Sequence, residues 1–325
     1  MIIDRRRALS LAAASAISPF VAVDSWANAY PTRPVRLMVG FAPGGTTDIA
    51  ARLIGQWLQD RLGQPFVIEN RPGASTNLAT EAVVRSPADG YTLLVTSTNN
   101  FINAGLFPQL NYNFIRDIAP IAGIMRTPLV LEVHPSIPVA TVTEFIAYAK
   151  ANPGKINMGN FGTGTVSHLA AELFKATVGV DYVHVPYRGS GPMLPDLLAG
   201  RLHAAFDNLP ASIEHIKAGT LRPLAVTTAT RSQSIPSVPT VAESVPGFEV
   251  SAAFGVAAPR QTPAAVIELL NKEINAGLAN PQLRGKLTDL GGLLLPGSPA
   301  DFEQLAVRET EKWTNVIKAS GIKAG

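Results

Sequence analysis

The 325-residue sequence contains no cysteine. That excludes disulfides, thiolate metal sites and a cysteine nucleophile, so stability must come from a buried core. Charge is sparse: Asp, Glu, Lys and Arg make up 16 % of the residues, with a formal net charge of +3 and no basic block. Such a chain carries no electrostatic footprint for nucleic acid. The apolar stretch Ala8 to Val23 falls short of the roughly 20 residues a membrane-spanning helix needs. Catalytic patterns are missing as well. There is no G-x-S-x-G elbow, the five histidines show no HExxH or other metal spacing, and the carboxylates give no acid–base pair. These absences argue against an enzyme and call for neither cofactor nor metal.

What is present begins with an address. Arg5, Arg6 and Arg7 form a positive start, the apolar stretch follows with a break at Pro19, and Ala27-Asn28-Ala29 supplies a small-x-small cleavage pattern. Residues 1–29 are therefore expected to be a signal peptide, cleaved after about Ala29, by either the Sec or the twin-arginine route. Removing them takes away three Arg and two Asp and leaves about 296 residues with a net charge of +2. That length favours two domains in a periplasmic protein.

Strand-like and helix-like patterns then alternate. Val35 to Gly40 reads as a strand, and Ile49, Leu53, Trp57, Leu58 and Leu62 recur at helical spacing until Gly63 stops the run. Phe66 to Ile68, Asn77 to Val84 and Tyr91 to Thr96 complete a βαβαβ unit of the kind that builds a mainly parallel sheet. A second series runs from the strand at Leu129 to Val133 through Leu221 to Thr227. Phe248 to Ala257 follows as a long apolar strand, and helices around Ala264–Leu278 and Ala300–Ile317 end the chain. The expected architecture is α/β with two lobes, residues 30–128 plus 254–325 and residues 129–253. Strands crossing near 128 and 252 join them, with a ligand cleft between.

Each series holds one Gly/Thr-rich turn before a helix. Gly40-Phe41-Ala42-Pro43-Gly44-Gly45-Thr46-Thr47 is nearly a P-loop, but Thr46 stands where nucleotide binding requires Lys. Glycine amides and a helix N-terminus remain, and these suit a carboxylate. The plainer alternative is a tight turn with Thr46 or Thr47 as N-cap. Gly162-Thr163-Gly164-Thr165, with Ser167 and His168 behind it, repeats the arrangement. Asp48 could meet a ligand ammonium group or simply complement the helix dipole. His168 could donate to a ligand oxygen or pack structurally. Arg188 could meet an anion or sit in solvent, and Phe41 and Phe161 could cover an apolar ligand body or pack locally.

At these residues the sequence resembles the Bug (TctC-type) extracytoplasmic receptors of tripartite tricarboxylate transporters. The resemblance rests on Phe41-Ala42-Pro43-Gly44-Gly45 through Asp48, Glu69-Asn70-Arg71-Pro72-Gly73-Ala74 and Asp89-Gly90-Tyr91-Thr92-Leu93-Leu94. It continues in Ala149 to Lys155, His184-Val185-Pro186-Tyr187-Arg188-Gly189, Asp196 to Gly200 and Val238 to Glu243. It implies a type II-like, two-lobe periplasmic binding fold that grips a carboxylate from both lobes, partly through ordered water. On matching positions it implies Phe41, Pro43, Gly44, Gly45, Thr46, Thr47 and Asp48, then Phe161, Thr163, Gly164, Thr165, Ser167 and His168, with Arg188 and Gly189 nearby. Expected partners are a di- or tricarboxylate, acidic amino acid or aromatic acid, and the membrane permease subunits of such a transporter; the receptor is expected to be a monomer. The alternatives are an exported α/β enzyme acting on small acids and a sensor or adaptor without a dedicated permease. Three departures stand out. Ser75-Thr76 replaces the usual Gly pair, Asn160-Phe161 replaces small serines, and Thr98-Asn99-Asn100 lacks a common glycine.

Overall fold

Val35–Val39 (β1) buries four of its five side chains, so both of its faces need cover. Helices supply it: β1, Thr46–Leu62 (α1), Phe66–Asn70 (β2), Asn77–Val84 (α2) and Thr92–Ser97 (β3) form the expected βαβαβ unit, with β1 parallel to both β2 and β3. The computed structural model describes residues 30–322, and the expected signal peptide lies outside them.

The next two elements, and the first eleven residues of the third, were not legible in the sequence. Thr98–Leu106 (α3) carries three asparagines, poor helix formers, and is held by a capping box between Ser97 and Asn100. Phe114–Asp117 (α4) is a single turn. Ile118–Val133 (β4) begins eleven residues earlier than expected. Pro120, Gly123 and Pro128 interrupt its apolar pattern, and the strand absorbs the first two with register shifts between Pro120 and Ala122 and between Gly123 and Met125.

The second series follows: Val142–Ala151 (α5), Asn157–Asn160 (β5), Val166–Val178 (α6), Val183–Pro186 (β6), Ser190–Leu198 (α7), Ala204–Asn208 (β7), Leu209–Lys217 (α8) and Arg222–Val226 (β8). Ser251–Pro259 (β9), Ala264–Ala279 (α9), Pro281–Asp289 (α10), Leu293–Leu294 (β10) and Pro299–Ser320 (α11) complete the chain. The strands join one sheet in the order β2-β1-β3-β9-β4-β7-β5-β6, with β8 and β10 also paired to β4. The sheet is mixed, because β9 and β4 run antiparallel to their neighbours.

β4 links the two halves. Its residues Ile118 to Pro128 pair with β9, and Leu129 to Val133 pair with β7 and β8. The buried Thr227 hydroxyl sits at the change of partner: it donates to the Val250 carbonyl (2.6 Å) and accepts from the Leu129 N–H (2.9 Å). Each half has its own aromatic nucleus. Phe101 meets Phe114 and Phe302 edge to face in the first, and Phe174 meets Phe145, Phe206 and Phe248 in the second. α11 packs on α3 and β4, which returns the C-terminal helix to the first half.

Candidate functional site

Loops following β1, β2, β5 and β6, all at strand carboxyl ends, enclose a cavity of about 400 Å³ between the halves. Gly40, Phe41, Gly73, Ala74, Ser75, Thr76 and Phe107 line it from one side, and Phe161, Gly162, Thr163, Tyr187 and Arg188 from the other. Four of the expected site residues, Phe41, Phe161, Thr163 and Arg188, therefore reach the cavity directly.

The remaining expected residues stand behind the wall. Gly45, not Thr46 or Thr47, is the N-cap of α1, and both threonines are buried in its first turn. The Asp48 carboxylate is fully engaged: it accepts from the Gly44 N–H (3.0 Å), from Arg52 (2.9 and 3.1 Å) and from Asn70 (3.0 Å). Burial pushes that carboxyl up, but the hydrogen bonds from Arg52, Gly44 and Asn70 outweigh it and hold it below its ordinary value. Asp48 thus organises the turn from within and keeps the Gly44 amide for itself. Ala42 N–H is also committed, donating across the cleft to the Arg188 carbonyl at 2.9 Å. Pro43 packs its carbonyl on Gly191, Gly45 lies against Ser190, and Gly189 lies against Phe41.

The second turn is similarly self-contained. Thr165 caps α6 and donates its hydroxyl to the Gly162 carbonyl at 2.7 Å. Gly162 N–H donates to Asn160 (2.9 Å), Gly164 N–H to His168 Nδ1 (3.3 Å), and the Ser167 hydroxyl to the Phe206 carbonyl (2.7 Å). Burial, helped by the neighbouring His184, pushes His168 down to about 4, so its ring is neutral and able to accept. His168, Glu172 and His184 bring three potential metal-ligand atoms within 4.8 Å of one another. Their lone pairs have other uses: His184 Nδ1 faces the Asn160 amide (3.5 Å) and its Nε2 meets the Glu172 carboxylate. The cluster reads as a brace for the Gly164 turn.

The wall that sequence reasoning missed is Gly73 to Thr76. Ala74, Ser75 and Thr76 all adopt positive φ, at 46°, 51° and 75°. Left-handed backbone costs an L-residue about 1–2 kcal/mol, and such strain persists where the surroundings enforce it. Here buried asparagines do so. Asn103 donates to the Ser75 carbonyl and to Asn77 (2.7 Å each), Asn100 donates to Thr76 Oγ1 (3.3 Å) and Thr80 Oγ1 (2.8 Å), and Thr80 Oγ1 donates to the Thr76 carbonyl (3.0 Å). Gly40 is glycine for the same reason: a Cβ there would lie 2.5 Å from that of Thr76. Ala74–Thr76 forms a single 3-10 turn, closed by the Asn77 N–H on the Ala74 carbonyl, and the Ser75 N–H stands at its start, where a helix leaves donors unpaired. The available signal was the departure at Ser75-Thr76 from a glycine pair, which a left-handed turn would favour.

A two-half α/β molecule with a cavity between the halves, lined by loop backbone, a few hydroxyls and one arginine, has the form of a periplasmic binding protein. The comparisons place it further: residues 50–322 match the model of the tripartite tricarboxylate transporter family receptor, and the chain belongs to that family. It is 38 % identical over 300 residues to protein BugT of Bordetella pertussis, covering 91 % of this chain and 92 % of that one. Among solved structures it is similar to the R. palustris protein Rpa4515 with adipate (42 % identity, TM-score 0.88, 90 % of this chain and 99 % of that one). MatC from Rhodopseudomonas palustris with bound malate is also similar (33 % identity, TM-score 0.84, 89 % and 100 %). The fold is thus the two-lobe periplasmic binding fold. Receptors of this family bind solutes and are not enzymes, and no helix among the described residues is long and apolar enough to cross a membrane.

Proposed function

We propose that this chain is an exported receptor that holds a small carboxylate between lobes 30–128 plus 254–325 and 129–253, and delivers it unchanged to a tripartite tricarboxylate-type permease. The observation that carries this reading is the composition of the cavity wall. It offers the loop backbone at Ser75, the Thr163 hydroxyl and the Arg188 guanidinium, and among its twelve lining residues there is no carboxylate, histidine or lysine for acid–base chemistry. Donors without a base bind an anion and leave it intact. Relatives solved with adipate and with malate support a carboxylate as the ligand class. The mature protein would begin near Tyr30 and act as a monomer. The deciding experiment is calorimetry on the mature protein with a panel of small acids, followed by recovery of the ligand. One-to-one binding with unchanged acid returned is expected. Turnover of the acid, or no binding by any member of the panel, would overturn the reading.

A further inference from the structure

The lining of the cavity is lopsided. Phe41, Phe107, Phe161 and Tyr187, four of its twelve residues, present rings, while Arg188 is its only formal charge. Tyr187 adds no free hydroxyl, because its OH donates to Asp196 at 2.6 Å, away toward α7. Ser75 Oγ donates to the Gly164 carbonyl at 3.3 Å, and Thr76 Oγ1 is buried against Asn100 and Asn103, accepting from both. Among the lining side chains, the donors that face the cavity are therefore the Thr163 hydroxyl and the Arg188 guanidinium, beside the loop backbone at Ser75. That set can satisfy one carboxylate well and a second at the arginine. Few side chains remain to meet a hydroxyl or a third carboxylate, and a polar ligand group buried without a partner loses affinity.

Resting on the carboxylate reading, we propose that this receptor selects acids with an apolar body, an aliphatic chain or a ring ending in carboxylate, over compact hydroxylated di- and tricarboxylates. Phe161 and Phe107 are its specificity-determining residues. The two rings come from opposite sides of the cleft. Phe161 closes edge to face on Phe41 with centroids 6.3 Å apart, so the pair forms a continuous apolar surface across both halves. Benzoate or adipate would lay its body on that surface with a carboxylate at the Ser75 amide and Thr163. Malate and citrate would press hydroxyl and extra carboxylate groups against the rings.

The test is calorimetric titration of the mature protein with benzoate, adipate, malate and citrate, repeated on Phe161→Ser and Phe107→Ala. Benzoate or adipate should bind on the order of 10²-fold more tightly than malate or citrate. Each variant should cut that ratio by about 10-fold or more. Phe107 is only half-buried, so its variant remains informative if Phe161→Ser folds poorly. Malate or citrate binding as tightly as the apolar acids would overturn the selectivity while leaving the carboxylate receptor intact. An unchanged ratio in both variants would overturn the role of the rings. Failure of all four acids to bind would instead count against the receptor reading beneath it.

Discussion

Asn99 caps a helix that belongs to the other half of the molecule: its side-chain oxygen accepts the Val166 N–H at 3.2 Å. Val166 opens α6, so one of the donors that a helix start would offer a ligand is occupied by a residue of α3. With Ala42 N–H to the Arg188 carbonyl and the Ser75 hydroxyl near the Gly164 carbonyl, it forms a set of direct contacts across the cleft. The closed arrangement is thus partly self-supporting. Ligand is expected to add to these bonds, with hinge motion about the two crossing segments.

Loss of this contact is the first prediction. Asn99 is fully buried, and removing a cap costs about 0.5–2 kcal/mol. Asn99→Ala should melt several degrees lower, and small-angle scattering without ligand should show a larger radius of gyration than wild type. Equal radii with equal melting temperatures would mean that Asn99 does not hold the halves together.

A second prediction concerns pH. Glu132 on β4 and Asp207 on β7 are both fully buried on one face of the sheet, and neither forms an ion pair with any described residue. Both oxygens of Glu132 and Oδ2 of Asp207 lack a hydrogen-bond partner, while Asp207 Oδ1 accepts from Ser190 at 2.5 Å. Burial first, and the charge of Asp207 second, pushes Glu132 well above its ordinary value, and burial pushes Asp207 up to about 7. Folding therefore favours the neutral carboxyls. For Asp207 that contribution is complete below the unfolded value of 3.8 and is lost as pH rises through about 7, and Glu132, raised well above 4.5, adds to the loss in the same direction. Melting temperature should fall between pH 5 and 8. In Glu132→Gln, whose amide can donate to Asp207, that slope should flatten. A wild-type melting temperature that rises or stays level over this range would refute the assignment.

The left-handed turn gives a third. Ser75 has φ 51° and only long side-chain contacts, 3.3 Å to the Gly164 carbonyl and 3.5 Å from Asn99. Glycine tolerates that backbone but costs more entropy on folding, which offsets part of the relief. Ser75→Gly should stabilise by about 1 kcal/mol, read as a rise of roughly 2 °C in melting temperature. Destabilisation would show that the serine hydroxyl outweighs the strain.

The two glycine turns should respond in opposite ways, which is the fourth. Gly45 has φ −86°, occupies the N-cap of α1, and leaves ordinary contact distance of 3.6 Å to Ser190. Aspartate is a good N-cap, so Gly45→Asp should melt within about 1 kcal/mol of wild type. Gly164 has φ +79°, and a Cβ there would collide with Leu106. Gly164→Asp adds backbone strain to overpacking and should destabilise by about 2 kcal/mol or more. Equal melting curves for the two variants would contradict this account.

Local pattern was enough to read the βαβαβ unit and the helix after each glycine turn, and to put forward Phe41, Phe161, Thr163 and Arg188 as candidates. Periodicity and turn chemistry act between residues a few positions apart, so the sequence alone determined them. It could not reveal which donors are spent. Asn70 reaches Asp48 over 22 positions, and Asn99 reaches Val166 over 67, a bond that exists only after the chain has crossed between halves. Nor could it place Glu132 beside Asp207, or show that asparagines in a poor helix-forming stretch hold Ala74, Ser75 and Thr76 left-handed. Hydrogen-bond ownership, burial and backbone strain depend on neighbours distant in sequence, and only the tertiary structure assigns them.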